Sequence, residues 1–94
     1  MEIRLTSYED YGLSTSEARE ILKICRASSF PRYIALSAAL ETNPDIALQL
    51  VKSICDRVSW AKMPATAISE NSFYGYRRKC IFLVGEELKR LGRI

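Results

Sequence analysis

The chain has 94 residues, 48% of them hydrophobic and 27% charged, with four glycines and three prolines; this supplies one modest core and excludes both a two-domain layout and a disordered chain. Three cysteines without CxxC spacing and the absence of histidine leave no usual zinc ligand set and remove the commonest general base. The net charge of +3 is uneven: residues 1–56 hold six basic and eight acidic side chains, residues 57–94 eight basic and three acidic, a polarity that draws polyanions to the C-terminal half.

Residues 1–13 carry Ile3, Leu5, Tyr8, Tyr11 and Leu13 and read as an N-terminal arm packed on helices. Ser14-Thr15-Ser16-Glu17 is a capping box, in which the serine hydroxyl accepts a backbone N–H and the glutamate reaches back. Ala18, Ile21, Leu22 and Cys25 follow at i, i+3, i+4 and i+7, so a first helix ends near Ser28-Ser29. Pro31 suits the first turn of a second helix. Ile34, Leu36, Ala38, Ala39 and Leu40 make that helix apolar on most sides and place it centrally. Asn43-Pro44-Asp45 punctuates the chain as N-cap, N1 and dipole partner of a third helix, which runs to about Asp56. Its inward positions are Ile46, Ala47, Leu50, Val51, Ile54 and Cys55.

Ser59–Met63 reads as a short fourth helix limited by Pro64. Residues 65–68 form a turn. Ser69 caps a long last helix that reaches about Leu91, with Gly92 as its stop. Phe73, Tyr76, Cys80, Val84, Leu88 and Leu91 form its buried stripe, widened by Ile81, Phe82 and Leu83. On this helix Asn71, Tyr74, Gly75 and Arg78 share the opposite face, flanked by Ser72 and Lys79, while Arg77 leans to another edge. Gly75 admits two roles, close helix packing or close approach of a DNA backbone. Trp60 reads as a half-buried lid over the core.

A short helix, a turn and a longer helix opening Ser69-Glu70-Asn71-Ser72-Phe73 form the layout of a helix-turn-helix, whose second helix enters the major groove. Over Val58–Met63 and Ile68–Lys79 the sequence resembles the fourth-region helix-turn-helix of sigma factors. It resembles still more the C-terminal part of small phage late-transcription regulators of the RinA/ArpU type. The resemblance covers about 35 of the 94 residues and rests on short motifs. It departs from the pattern at Pro64, where the family has a small helical residue, and in a turn one residue short. It implies a DNA-binding accessory or transcription regulator of phage or mobile-element type. Asn71, Ser72, Tyr74 and Arg78 would face the groove, and Lys62, Arg77 and Lys79 would hold phosphates of double-stranded DNA.

The alternative is a non-catalytic protein–protein module, docking on a partner or on itself, that keeps a degenerate helix-turn-helix scaffold at residues 59–79 without DNA binding. No nucleophile with a partner base, phosphate loop or metal spacing is present, so neither an enzyme nor a cofactor is expected. Glu86 and Glu87 point about 100° apart on a helix and do not act as a carboxylate pair. The longest apolar run, Cys80–Gly85, is far short of the ~20 residues of a membrane span. Met1–Leu5 lacks the pattern of a signal peptide, and cytoplasmic residence is the expectation. The chain is thus expected to be a single all-α domain of four or five helices with a long C-terminal helix.

Overall fold

The computed structural model describes residues 8–63 and 68–94; Ile3, Leu5, Pro64 and most of the turn expected at 65–68, for which the sequence carries expectations, lie outside the described residues. Four α-helices form: α1 (Thr15–Ala27), α2 (Phe30–Thr42), α3 (Ala47–Asp56) and α4 (Glu70–Arg90). Short 3-10 turns lie at Tyr8–Tyr11, Pro44–Ile46 and Trp60–Lys62, and no strand occurs among the described residues. The class is all-α. The expected short helix at 59–63 is a single 3-10 turn, and the third helix begins as the turn Pro44–Ile46 before becoming α-helical at Ala47.

Local chemistry sets the helix ends. Ser14 Oγ accepts from the Glu17 N–H at 3.1 Å, and Glu17 Oε1 accepts from the Ser14 N–H at 3.2 Å, the reciprocal bonds of a capping box. Asn43 serves two elements: its N–H donates to Ala39 O, closing α2, and its Oδ1 accepts from the Asp45 N–H at 3.1 Å, opening the next turn. α3 stops at Arg57, a non-glycine residue in the left-handed region at φ 59°. Ser69 Oγ accepts from the Ser72 N–H at 3.2 Å. At the far end of α4, Gly92 (φ 71°) donates to Lys89 O and Arg93 to Leu88 O, the paired bonds of a Schellman motif.

The core lies where the four helices meet. Ala18, Ile21 and Cys25 enter from α1, Leu50, Val51 and Ile54 from α3, and Phe73, Cys80, Ile81, Val84 and Leu88 from α4. α2 contributes Ala35, Ala38 and Ala39, small side chains that let its backbone approach α3 and α4, the helices it meets most extensively. It is not enclosed, however: Tyr33 is 78% exposed and Leu40 50%. Its central place is as expected, since it packs on all three other helices, but alanine, not the larger residues, faces the core. α4 is the enclosed helix in its middle, as expected, and packs on all three others and on the turn Tyr8–Tyr11. Tyr11 stacks on Phe82 with ring centroids 5.4 Å apart. Gly85 fixes the approach of α1 to α4, because a Cβ there would lie 2.6 Å from Ile21 Cδ1. Arg32 and Asp56 tie the start of α2 to the end of α3 through two hydrogen bonds of 2.7 and 3.0 Å. Both ends face solvent, so this fork contributes little to stability.

Candidate nucleic-acid interface

The seven residues singled out in the sequence do not form one open face. Asn71 and Lys62 are exposed, the latter on the turn Trp60–Lys62. Ser72 is half-buried and its hydroxyl accepts from that of Ser69 at 3.1 Å, so it serves the cap of α4. Tyr74 is half-buried, with its hydroxyl accepting from the Trp60 N–H at 3.4 Å and its ring edge-on to Phe73. Gly75 is buried; of its two roles, packing is the one the structure fills. The expected solvent face of Asn71, Tyr74, Gly75 and Arg78 is therefore largely covered. The turn Trp60–Lys62 packs against α4, which helical periodicity alone cannot reveal. Trp60 is half-buried against the core, as expected.

The three basic residues of α4 also part company. Lys79 is half-buried. Arg78 Nε is buried and has no hydrogen-bond partner among the described residues. Arg77 is half-buried and reaches α3, where its Nε–H donates to Ser53 Oγ at 2.8 Å. Ser53 is the one buried polar side chain among the described core residues, and this bond satisfies it. The guanidinium carbon of Arg77 stands 5.9 Å from the Tyr74 ring centroid, within range of a cation–π contact.

Arg77 belongs instead to a cluster that crosses three helices. Arg26 near the end of α1, Arg57 at the end of α3 and Arg77 line one groove of about 300 Å³, with Ser53, Ser59 and Tyr74 among their neighbours. Arg26 and Arg57 also line an adjoining groove of about 410 Å³, together with Arg19, Leu22 and Lys23 of α1. Among the described residues no carboxylate lines either groove. Arg26 Nε–H donates to Ile54 O at 3.0 Å. With the Nε atoms of Arg26 and Arg77 committed to the protein, the terminal nitrogens of both remain as forked donors. Burial, and then the positive charges of Arg57 and Arg77, lower the Arg26 pKa from its usual value; the guanidinium nevertheless stays protonated. Arginines held close without a counter-charge attract a phosphate or another oxyanion, which relieves their repulsion and accepts bidentate hydrogen bonds.

Sequence reasoning missed Arg19, Lys23, Arg26 and Arg57. Arg19, Lys23 and Arg26 stand at i, i+4 and i+7, one stripe of α1, and that spacing was the available signal. Net charge concealed it, because the stripe lies in the acidic half of the chain. Nothing in the spacing of Arg57 links it to α1, since only the fold joins them.

Two of the three cysteines lie in the core, while Cys55 is half-buried. Cys25 and Cys80 are buried, and burial pushes the Cys80 thiol up to about 12. Among the described residues no group of three or more ligating side chains could hold a metal ion, and no helix is long and apolar enough to cross a membrane. Comparison with known proteins finds no matching family model, curated protein or solved structure.

Proposed function

We propose that this protein is a DNA-binding accessory protein of the transcription-regulator type, which holds the phosphate backbone of double-stranded DNA in the arginine groove between α1, α3 and α4. The observation that carries the reading is the convergence of Arg26, Arg57 and Arg77, continued by Arg19 and Lys23, with no carboxylate lining the grooves among the described residues. Backbone contacts supply most non-specific affinity and fix how a protein sits on a duplex, while base edges supply sequence information. In this mode the arginines position the duplex. Asn71 and Lys62 remain exposed for further contacts, whereas Ser72 and Tyr74 spend their hydroxyls within the protein. The reading thus keeps the polyanion partner suggested by the helix-turn-helix resemblance and shifts the phosphate contacts from the Arg77-Arg78-Lys79 run to a surface built by three helices.

The test is a fluorescence-anisotropy titration of the protein into labelled mixed-sequence duplex at low salt. Saturable binding in the micromolar range is expected. Lys23→Gln with Arg57→Gln, both on exposed side chains, should weaken it by about tenfold or more, while circular dichroism reports an unchanged fold. Absence of binding, or binding insensitive to this pair of substitutions, refutes the proposal.

A further inference from the structure

A second groove, sharing no residue with the first, lies between α2 and α4 and has a volume of about 660 Å³. Phe30, Tyr33, Ile34 and Ala38 of α2 and Leu83 of α4 supply its apolar lining. Tyr33 is 78% exposed and Phe30 47%, so large apolar side chains stand open to water here. The same lining contains Glu41, Glu86 and Glu87 with a single basic residue, Arg90, and the Arg93 guanidinium carbon stands 4.8 Å from the Phe30 ring centroid. Glu87 is paired with Arg90, whereas Glu41 and Glu86 make no ion pair with any described residue. Apolar side chains beside unpaired carboxylates, between two packed helices, form the complement of an amphipathic helix with basic flanks.

We infer that this groove docks a basic amphipathic helix of a partner protein, with aliphatic or aromatic anchors one turn apart and Lys or Arg beside Glu41 and Glu86. A second copy of this chain fits less well. An isologous pair sets the same patch against itself, which would bring carboxylates against carboxylates. Outside the groove the exposed large apolar side chains are Leu40, Leu48, Leu91 and Ile94, scattered over α2, α3 and the end of α4, so they form no single helical stripe to insert head-to-tail. The occupant is therefore a different protein, and the docking stands independently of DNA binding on the arginine groove.

The experiment uses the full chain and two synthetic helical peptides with identical apolar patterns, one flanked by lysines and the other by glutamates, titrated by calorimetry. The protein carries a net charge of +3, so overall electrostatics favour the acidic peptide and only the local groove favours the basic one. The lysine peptide should bind at least about tenfold more tightly. Glu41→Lys with Glu86→Lys, both exposed positions, should reverse that order, and Tyr33→Ser should weaken the lysine peptide without altering the far-ultraviolet spectrum. Sedimentation of the protein alone should give a monomer. The inference is overturned if neither peptide binds, if the two bind equally, if the charge substitutions leave the order intact, or if the protein self-associates in a manner abolished by Tyr33→Ser.

Discussion

Arg57 joins the end of α3 and the proposed duplex contact in a single side chain. It ends α3 in the left-handed region at φ 59°, a conformation that costs a non-glycine residue roughly 1–2 kcal/mol, and it lines both arginine grooves. Glycine is the residue that helix ends of this geometry favour. Arg57→Gly should therefore raise unfolding stability, by up to about 1 kcal/mol once the greater freedom of the unfolded chain is counted, while weakening the duplex. Urea denaturation beside a binding titration checks both halves; a variant that is less stable, or binds as before, contradicts the role assigned here. Arg77 shows why such residues escape sequence reading. Its neighbours Arg78 and Lys79 make it one of a basic run, yet its hydrogen bond to Ser53 comes from a helix whose packing the run does not reveal. Of the seven residues expected to meet DNA, only Tyr74 and Arg77 line the three-arginine groove.

At the scale of elements the sequence was far more legible, because caps and stops are local chemistry. Ser14, Asn43, Ser69 and Gly92 all mark helix ends where expected. Ser59–Met63 was harder, since a five-residue stretch does not distinguish an α-turn from a 3-10 turn. The Ser14 cap makes a pH prediction. Backbone and side-chain hydrogen bonds with Ser14 hold the Glu17 carboxyl below its usual value, and hydrogen bonds from Arg32 and Arg90 do the same for Asp56 and Glu87. A folded-state pKa below the unfolded one stabilises fully above the unfolded value and is lost as pH falls through the folded one. The melting temperature should accordingly hold steady down to the normal carboxylate range near pH 4 and decline below it. Ser14→Ala should lower stability by about 1 kcal/mol at neutral pH and make the acid decline shallower; a cap variant with an unchanged acid limb rules out Glu17 as a contributor. Gly85 tests the packing of α1 on α4. Gly85→Ala gains ~1 kcal/mol of helix propensity but brings a methyl against the buried Ile21, a misfit that costs about 1–3 kcal/mol. Ile21→Val removes the opposing Cδ1, so in a double-mutant cycle alanine at 85 should be tolerated better beside Val than beside Ile, by at least about 0.5 kcal/mol. Additive effects would show that the two helices do not meet there.

At the scale of the molecule, four helices place two unlike grooves on one small domain: a cationic one where α1, α3 and α4 meet and an acid-lined apolar one between α2 and α4. The division of charge along the chain anticipated a polarised surface but mislocated it. Arg19, Lys23 and Arg26 come from the acidic half, and Glu86 and Glu87 from the basic half, so the polarity belongs to the fold and not to the sequence order. Most apolar positions of α1, α3 and α4 could be read from their periodicity, although Leu91, expected in the buried stripe of α4, is 42% exposed where the helix ends; the openness of α2 depends on which side its alanines take. The central claim, that the arginine groove holds a nucleic-acid backbone, is tested most directly by the salt dependence of duplex binding. Each phosphate contact contributes a slope of about −0.9 to log K against log salt, so Arg26, Arg57 and Arg77, with Arg19 and Lys23, predict a slope between about −3 and −4.5. Arg19→Gln, Lys23→Gln and Arg57→Gln together should bring it near −2. A slope indistinguishable from zero, or one that these substitutions leave unchanged, would contradict the account.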